Sequence, residues 1–543
     1  MNDIRHLLSV DFEEHFQLVT SGRGVPERHW DRFPSRIVDN TERVLRLLDR
    51  HDTKATFFVG DWVAERYGAL IADIALEGHE IACRLSPSRR RAGLAFADPS
   101  LHAVQFKRRL ESVAGRAVHG CRIDRPARAV PSGVGSGASP FRYECRPGPA
   151  LGPLRVTTRA ASDGTPVQLG MPSLRIAGQD VPLVGGESLR HVPGALENRL
   201  LAGWARSRAP HHFTFKLWEL DPDLARLAVL SSVQRLICYR NHHLFEERFA
   251  RLLERAAFSP VRAHLGLAEE KVARTAPLAP VSAPPAEPEV PGVPVSIIVP
   301  CFNEEAGLSY LANVFSALDA ELGRRHRLSF VLVDDGSTDR TRQEMQRLFG
   351  HDGRYRIVRH EMNRGIAAAI LTGIGAAKDD IVVTMDSDCS YDPARIEDML
   401  ALLAPDVALV TASPYHADAG VEGVPGWRIF VSRGASSLYR MVLRTQLATY
   451  TSCFRVYRKR ALEGLILHHE GFIGVAEMLA RLDMAGGRIA EYPVVLEARV
   501  LGRSKLRLFR TIVGHLRLLG AIFATRLRDR RRAGAIALTK EEG

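Results

Sequence analysis

The chain has 543 residues, too many for one ordinary domain, so two or more domains are expected. Hydrophobic residues make up 45% and charged residues 25%, and no run approaches the roughly 20 apolar residues of a membrane-spanning helix. The formal net charge of +12 points to an anionic partner, which leaves a membrane surface, a phosphorylated substrate or nucleic acid.

Three sequence features narrow the functional class. The first 16 residues reach acidic side chains before any apolar core of signal-peptide length, which predicts a cytoplasmic protein. The seven cysteines include no C-x-x-C pair, which argues against a zinc ribbon or a disulfide framework. Since no helix-turn-helix, zinc-finger or aromatic-interleaved basic motif occurs, we expect no nucleic-acid partner.

Proline recurs through residues 275–294, which favours an extended spacer over a helix or strand. We predict a first domain over 1–265, a linker over 266–294, a second domain over 295–510 and a basic amphipathic helix with a tail over 511–543. A region rich in Gly, Pro, Ser and Arg at 125–153 is predicted to be a long loop or disordered.

The second domain contains short, almost continuous apolar runs that alternate with helix-like segments. This pattern is typical of a buried parallel sheet and predicts a doubly wound α/β fold. The runs are VSIIVP (295–300), LSFVLVDD (328–335), YRIVRH (355–360), DIVVTMD (380–386) and VALVTA (407–412).

Polar clusters follow three of these runs, at 301–305, 334–339 and 386–388. In open parallel sheets, ligands bind outside the carboxyl ends of the strands. Asp386 and Asp388 are separated by one residue, so both carboxylates can converge on a hard divalent cation that bridges a diphosphate. The D-x-D pattern is weak evidence alone, because surface turns are rich in Asp.

Four segments, VSIIVPCFNEE, VLVDDGSTDRT, NRGIAAAI and TMDSDCSYDP, together resemble the family 2 glycosyltransferases, particularly dolichol-phosphate mannose synthases and polyprenyl-phosphate glycosyltransferases. The resemblance extends to 451–462 and 491–508, and it implies a GT-A fold with Mg²⁺ or Mn²⁺ as the cofactor. It places Asp386 at the nucleotide or metal and Asp388 at the metal. The other implied contacts to the nucleotide or to phosphate are Pro300, Asn303, Glu304, Asp335, Arg455, Arg499 and Lys505.

The implied reaction moves a sugar from a UDP- or GDP-sugar with inversion, in envelope or exopolysaccharide synthesis. A polyprenyl-phosphate acceptor is already an anion, whereas a glycan hydroxyl needs a base, for which Glu477 is the candidate. An exposed helix charge is the alternative role for Glu477. Ser390 stands where the family often has Gln, which puts one metal contact in doubt. A dinucleotide dehydrogenase is disfavoured, because no glycine-rich turn follows the first strand.

The segment 503–528 is predicted to form a basic amphipathic helix that lies on an anionic membrane, or else a core-packing helix with a solvated basic face. Its predicted apolar face is Phe509, Ile512, Val513, Leu516, Leu519 and Phe523. Its predicted basic face is Arg503, Arg507, Arg510 and Arg517.

The first domain contains LLSVDFEEHFQ, ATFFVGDWVAER, EGHEIA and FKLWELDP, which resemble NodB-type polysaccharide deacetylases. That resemblance implies a distorted (β/α) barrel with a metal held by one Asp and two His. Arg84 and Ser88 stand at the two histidine positions, and Lys216 stands at the position of the catalytic acid. Asp11 occupies the base position, with Glu13 and Glu14 nearby, while Arg122, Ile123 and Asp124 replace an R-A-P motif.

These replacements predict a catalytically inactive domain, because Arg and Ser are poor zinc ligands. His211 and His212 are expected to pack or lie on the surface, not to replace the lost ligands. Two alternatives remain open: residual deacetylase activity in the first domain, and a non-catalytic polysaccharide-binding scaffold formed by the whole chain.

Overall fold

The computed structural model describes residues 4–20, 23–85, 99–124, 139–148, 157–159, 165–176, 179–273, 292–502, 512–526 and 528. Ser88, Lys505, Phe509 and the arginines at 503, 507 and 510 lie outside these residues, as do most of the 125–153 region and of the linker. The chain forms two compact units. The first comprises Met1–Trp30, Ser35–Arg226 and Leu230–Pro284, and the second comprises Asp31–Pro34, Leu227–Val229 and Pro285–Gly543.

The first unit alternates strands with helices. Its strands are β1 His6–Phe12, β2 Val19–Thr20, β3 Arg23–Gly24, β4 Thr56–Val59, β5 Glu80–Leu85, β6 Gly120–Ile123, β7 Tyr143–Gly148, β8 Thr157–Arg159, β9 Val167–Ile176, β10 Gln179–Pro182, β11 His212–Lys216 and β12 Phe258–Ser259. Its helices are α1 Ile37–Arg50, α2 Asp61–Arg66, α3 Gly68–Leu76, α4 Pro99–Ala114, α5 Gly186–His191, α6 Gly194–Ala205, α7 Ser232–Tyr239, α8 Phe245–Arg255 and α9 Val261–His264.

The main sheet of the first unit has the strand order β10-β9-β7-β6-β5-β4-β1-β11. Every neighbouring pair from β9 to β11 is parallel, whereas β10 runs antiparallel to β9. Gly185, three residues after β10, forms a parallel bridge with Thr214 in β11. Since β10 and β11 are at opposite ends of the strand order, the sheet is curled. The α/β class is therefore confirmed, and a deacetylase-type barrel stays a prediction.

The second unit also alternates strands and helices. Its strands are β13 Val293–Cys301, β14 His326–Asp334, β15 Tyr355–Arg359, β16 Ile381–Thr384, β17 Val407–Ser413, β18 Val421–Glu422, β19 Arg455–Arg458, β20 Arg488–Pro493 and β21 Leu496–Glu497. Its helices are α10 Leu308–Leu322, α11 Thr341–Phe349, α12 Ile366–Ala376, α13 Ile396–Ala401, α14 Gly426–Val442 and α15 Phe472–Met484, with a further C-terminal helix over 512–526.

The seven-stranded sheet of the second unit has the order β15-β14-β13-β16-β19-β17-β20. All five strands predicted from the apolar runs are present. The sheet departs from an all-parallel arrangement at β19, which lies antiparallel between β16 and β17. The short run Arg455–Arg458 carries polar residues at both ends, so its hydrophobic pattern did not reveal this strand.

Small residues let α12 pack closely on this sheet. A Cβ added to Gly373 would lie 2.3 Å from Cγ2 of Ile298 in β13, so glycine is required for the observed spacing. Ala367 and Ala369 are completely buried on the same helix. The close packing fixes α12 behind the strands whose carboxyl ends carry the polar clusters.

The C-terminal helix packs into the core of the second unit. His515, Leu518, Leu519 and Ile522 are buried, and the Tyr439 hydroxyl lies 2.8 Å from Nδ1 of His515. Leu516 and Phe523 are 53% and 60% exposed, so the predicted single apolar face is wrong in part: it divides between core and surface. Among the described residues, no helix is long and apolar enough to cross a bilayer.

Candidate functional site

The parallel strands of the second unit bring their carboxyl ends to one edge. Cys301 at the end of β13 pairs with Asp334 at the end of β14, which pairs with Arg359 of β15. On its other side, β13 pairs with β16, and Asp386 follows β16 by two residues. The three polar clusters predicted from the sequence therefore share this edge.

The loop after β13 is held against the loop after β14. Asn303 has a φ of 52°, a left-handed conformation that Asn tolerates well. Its backbone N–H donates to Ser337 Oγ at 2.9 Å, and its side-chain carbonyl accepts from the Thr338 N–H at 2.7 Å. The N–H of Glu304 donates to Thr341 Oγ1 at 2.7 Å. These bonds fix the backbone next to Pro300, which is buried near the end of β13.

Asp335 organises the loop that precedes α12. Its Oδ1 accepts from the Arg364 N–H at 2.9 Å and lies 2.7 Å from Nδ1 of His360. Its Oδ2 accepts from the Gly365 N–H at 2.8 Å and from Asn363 Nδ2 at 3.0 Å. Asp335 is only 3% exposed, and its carboxylate serves in the structure to hold this loop in place. A direct nucleotide contact stays a prediction.

Asp386 is partly exposed at the end of the β16 segment. Burial and then the negative charge of Asp388 raise its pKa to about 7, although Arg499 and a hydrogen bond from the Cys453 thiol act in the opposite direction. Asp388 lies close enough to Asp386 for its negative charge to disfavour ionisation of Asp386. They form the predicted pair of acidic groups.

Asp388 is oriented by Ser390 and Arg499. Its Oδ1 accepts a hydrogen bond from the Ser390 N–H at 3.0 Å and another from the Ser390 hydroxyl. Its Oδ2 lies 3.3 Å from Nε of Arg499, and the same guanidinium also pairs with Glu304. Ser390, at the family's usual Gln position, thus positions Asp388.

This donor set fits a divalent cation bound together with a diphosphate. The described residues contain no group of three or more His, Cys, Asp or Glu side chains arranged to hold a metal by themselves. Asp386 and Asp388 supply hard carboxylate oxygens, and such a cation usually completes its coordination with phosphate and water. Cofactor binding at Asp386 and Asp388 is compatible with this geometry.

Arg455 does not lie where its predicted contact would require. It is completely buried in β19 and donates to the carbonyls of Val475 and Tyr450 at 2.7 and 2.8 Å. Its Nη1 also lies 3.2 Å from the Tyr457 hydroxyl. The geometry therefore gives Arg455 a structural role, since a phosphate cannot reach a side chain without exposed surface.

Glu477 is likewise engaged by the protein. This carboxylate on α15 is 2% exposed and accepts from the backbone N–H groups of His468 and His469 and from Nε of Arg481. Burial would raise its pKa, but hydrogen bonds from His469, Arg481 and His468 outweigh that effect and lower the pKa to about 2. Both predicted roles, base and exposed helix charge, disagree with this geometry.

We predict that Glu477→Gln reduces acid sensitivity and stability without removing nucleotide binding. A carboxylate with a lowered pKa contributes stability above its unfolded pKa of about 4.3 and loses it as the pH falls toward 2. Urea unfolding at pH 7 and at pH 3.5 should therefore show a larger penalty for Glu477→Gln at pH 7. Equal penalties at both pH values would contradict the structural role.

The first unit has a second polar cluster at the carboxyl ends of its parallel strands. Asp11 near the end of β1 is in register with Lys216 at the end of β11, and Arg84 in β5 is in register with Arg122 in β6. These four residues stand at the positions discussed for the deacetylase resemblance. The fold thus brings the substituted residues to one edge.

Cations neutralise the carboxylates of this cluster. Arg122 Nη1 donates to both oxygens of Asp11, at 2.5 and 2.7 Å. Arg84 pairs with Glu13 and, at 3.2 Å, with Asp124. Buried carboxylates need such partners, because an unpaired charge in a dry interior is costly.

The lysine at the catalytic-acid position is paired in the same way. The Lys216 ammonium contacts Glu187. The backbone N–H of Lys216 donates to Glu219 Oε2 at 2.8 Å. Burial would lower the pKa of Lys216, but Glu187, Glu219 and Glu13 outweigh burial and raise it. Glu219 also pairs at 2.8 Å with Arg190, which is completely buried. The family resemblance included the segments that carry Glu187, Arg190 and Glu219, but it did not predict their pairing, because only the fold brings the three together.

Burial shifts the pKa values of Glu14 and His212, which lie near this cluster. Burial raises the pKa of Glu14 to about 7, against hydrogen bonds from Ser35 and from the backbone at Arg36 and Ile37. His212 lies in β11, 2.8 Å from Ser9 Oγ, and burial followed by the Arg122 charge lowers its pKa to about 3. His211 stacks on His6 with ring centroids 5.3 Å apart. Both histidines therefore occupy packing positions.

The chain is similar in sequence to known sugar-transferring enzymes. The model of glycosyl transferase family 2 matches residues 296–466. The chain is 30% identical over 228 residues to a dolichol-phosphate mannosyltransferase of Pyrococcus furiosus, covering 41% of this chain and 62% of that protein. It is 30% identical over 245 residues to a dodecaprenyl-phosphate galacturonate synthase of Rhizobium johnstonii, covering 44% of this chain and 70% of that protein.

The chain therefore belongs to the family 2 glycosyltransferases, which confirms the class of enzyme predicted from its sequence. The first relative is spanned over less than two thirds of its own length. In the first unit, residues 29–85 match a polysaccharide deacetylase model and residues 153–266 match a domain of unknown function, DUF3473. The deacetylase resemblance of the first unit is thus also confirmed.

Solved structures provide two further matches. One is a mannosyltransferase of Pyrobaculum calidifontis in complex with GDP-mannose and Mn²⁺, with 21% identity, a TM-score of 0.32, and coverage of 43% of this chain and 64% of that one. The other is a glucosyl-3-phosphoglycerate synthase of Mycobacterium tuberculosis in complex with Mn²⁺ and UDP, with 21% identity, a TM-score of 0.32, and coverage of 43% and 80%.

Proposed function

We propose that the chain transfers a sugar, with inversion and with the aid of a divalent cation, from a nucleoside-diphosphate donor to a polyprenyl phosphate in envelope or exopolysaccharide synthesis. The supporting observation is the cluster of Glu304, Asp386, Asp388 and Arg499 near the carboxyl ends of parallel strands in a chain of glycosyltransferase family 2. Mg²⁺ or Mn²⁺ would be held by Asp386 and Asp388. The names of the two curated relatives support a lipid-phosphate acceptor.

The residues of the site suit displacement of a diphosphate. The cation, when bound, would offset the negative charge that develops on the leaving group. Arg499 would place a permanent positive charge beside the same group, since a guanidinium stays protonated. Asn303 orders the loop after β13 and Asp335 orders the loop before α12, and these two loops would line the nucleotide pocket. A polyprenyl phosphate supplies its own anionic oxygen, which agrees with a Glu477 carboxylate already occupied by protein donors.

The donor site predicts metal-dependent nucleotide binding. Titration calorimetry of the full-length protein with UDP and with GDP, each with and without Mn²⁺, should show one nucleotide bound tightly only with the metal. Asp388→Ala should weaken that binding at least about tenfold, because it removes a hard oxygen ligand.

Asp406→Ala is the matched control. This exposed carboxylate pairs with Arg488 at the opposite end of the sheet and should leave the affinity unchanged. If neither nucleotide binds the wild-type protein, the donor proposal fails, and the scaffold alternative becomes the hypothesis to test with polysaccharide ligands.

We further propose that the second unit rests on the cytoplasmic face of an anionic membrane through α14. Only Ser436 and Tyr439 are buried among its 17 residues. Trp427, Phe430 and Met441 are 50%, 80% and 74% exposed and recur at helical spacing on the opposite face.

The charge of this helix favours a lipid surface over a protein groove. Residues 426–444 include no Asp or Glu and four arginines, at 428, 433, 440 and 444. Arg428 lies over the Trp427 ring at 5.3 Å. Apolar and aromatic side chains bordered by arginines are typical of helices that lie at an anionic bilayer interface.

We predict that the double variant Trp427→Ser and Phe430→Ser binds vesicles containing anionic phospholipid at least about tenfold more weakly than the wild type, as each lost aromatic forfeits burial in the interface. Vesicle flotation measures this binding. Leu76→Ser, which removes a 63%-exposed apolar side chain from α3, is the control. Unchanged flotation of the double variant would contradict the proposal. A wild-type dimer that the double variant converts to monomer would instead identify α14 as a contact between copies.

We propose that the first unit is catalytically inactive as a deacetylase. The supporting observation is that Arg122 and Arg84 occupy the carboxylates of Asp11, Glu13 and Asp124. A zinc ion would compete with Arg122 for Asp11 and with Arg84 for Glu13 and Asp124, and it would lack both histidine ligands.

For this unit we predict that Arg122→Gln destabilises the fold by about 3–5 kcal/mol, because it leaves the Asp11 carboxylate buried without its partner. Urea unfolding followed by tryptophan fluorescence is suited to this test, as four of the five tryptophans lie in the first unit. Arg46→Gln, which breaks a pair exposed by 60% on both sides, should cost less than about 1 kcal/mol. Stoichiometric zinc in the purified wild-type protein would overturn the assignment of inactivity.

A further inference from the structure

One guanidinium joins the two acidic parts of the donor site. Arg499 pairs with Glu304 from the β13 loop and lies 3.3 Å from Asp388, which follows β16. The side chains of Arg499, Glu304 and Asp388 are 18%, 12% and 17% exposed, so water screens these charges only partly. The positive charge of Arg499 also acts to lower the pKa of Asp386, against the larger effects of burial and Asp388.

Within the part of the chain that the structure describes, three carboxylates and the Arg499 guanidinium interact where the proposed function needs a divalent metal. A metal on Asp386 and Asp388 would bring two positive charges to the group that Arg499 now contacts. Two cations on the same carboxylate repel each other, and they do so more strongly in a partly dry site. Arg499 and the metal thus compete for Asp388.

We propose that Arg499 is a placeholder cation that neutralises Glu304 and Asp388 until the metal and donor arrive and then turns to the diphosphate. This inference rests on the proposed function, because it assigns the competing cation to the donor site. In the absence of nucleotide, Arg499 keeps the carboxylates paired and hinders metal binding.

Hydrogen bonds hold the backbone just before Arg499, and a glycine packs against its guanidinium. Before it, the N–H of Glu497 donates to the Ser390 carbonyl at 2.8 Å and the N–H of Ala498 donates to the Glu422 carbonyl at 2.9 Å. After it, Gly502 has a φ of 77° and lies against the guanidinium, where an added Cβ would be 3.4 Å from Nε and Cζ. A larger side chain at Gly502 would crowd this space.

The placeholder role makes two affinities change in opposite directions. Arg499→Gln removes the competing cation, so Mn²⁺ alone should bind about tenfold more tightly. The same variant removes a phosphate contact, so the nucleotide in the presence of Mn²⁺ should bind more weakly. A residue that served only as a phosphate contact would leave the affinity for Mn²⁺ alone unchanged.

The test is electron paramagnetic resonance of free Mn²⁺ titrated with full-length protein, without nucleotide, for wild type, Arg499→Gln, Arg499→Lys and Arg354→Gln. Arg499→Lys should fall between wild type and Arg499→Gln, because the shorter ammonium keeps the charge but cannot span both carboxylates. Arg354→Gln, an exposed arginine paired with Asp319 and Asp352, should match the wild type. Circular dichroism checks that each variant is folded.

The outcomes separate this inference from the proposed function. If Arg499→Gln and Arg499→Lys bind Mn²⁺ alone no more tightly than the wild type, the placeholder role is wrong, and metal-dependent nucleotide binding by the wild type would still support the transferase. If the wild type binds no nucleotide with Mn²⁺, the proposed function fails. Tighter Mn²⁺ binding by Arg499→Gln together with weaker nucleotide binding supports the inference.

Discussion

The balance of charge among carboxylates gathered at the ends of parallel strands is the constraint on which both units depend. Parallel strands place their carboxyl ends at one edge, so acidic residues that follow neighbouring strands meet there. Once such groups are partly buried, each negative charge needs a nearby cation or a set of N–H donors. The identity of that partner decides whether an edge can bind an external cation.

The two units meet this constraint differently. In the first, Arg122 holds Asp11 within a buried pair, and Arg84 and Lys216 are paired to their own carboxylates. In the second, the single guanidinium of Arg499 is shared between Glu304 and Asp388. Fixed internal pairing agrees with the proposal that the first unit lacks metal chemistry, whereas one guanidinium shared between two carboxylates agrees with the proposed site for a cation and a diphosphate.

The sequence predicted the elements that depend on local pattern. The five apolar runs became β13 to β17, because continuous apolar character identifies a buried parallel strand. The inserted antiparallel strand β19 escaped, because four residues with arginine at both ends have no distinctive period. The apolar face of the C-terminal helix was only partly right, since periodicity cannot tell which part of a broad apolar face meets the core and which meets solvent.

The polar residues divide along the same line. Asp386, Asp388 and Glu304 lie at the strand ends where the sequence predicted polar clusters, and Arg499, which only the family resemblance indicated, contacts Glu304 and Asp388. Arg455 and Glu477 were misjudged because partners far away in sequence decide their roles: Val475 and Tyr450 for the arginine, and the His468–His469 backbone for the glutamate. The Asp335–His360 contact could not be predicted from the sequence for the same reason, because its two residues are far apart along the chain.

The proposed activity depends on one property of the second unit: Asp386 and Asp388 together would hold the cation that binds the donor diphosphate. The most direct measurement is anomalous diffraction at the manganese edge from crystals of the full-length protein grown with Mn²⁺ and the nucleotide it binds. We predict one strong peak beside both carboxylates and the diphosphate, with Arg499 turned from Asp388 toward phosphate. A nucleotide bound at this edge with no manganese beside Asp388, or with manganese held elsewhere, would contradict the account.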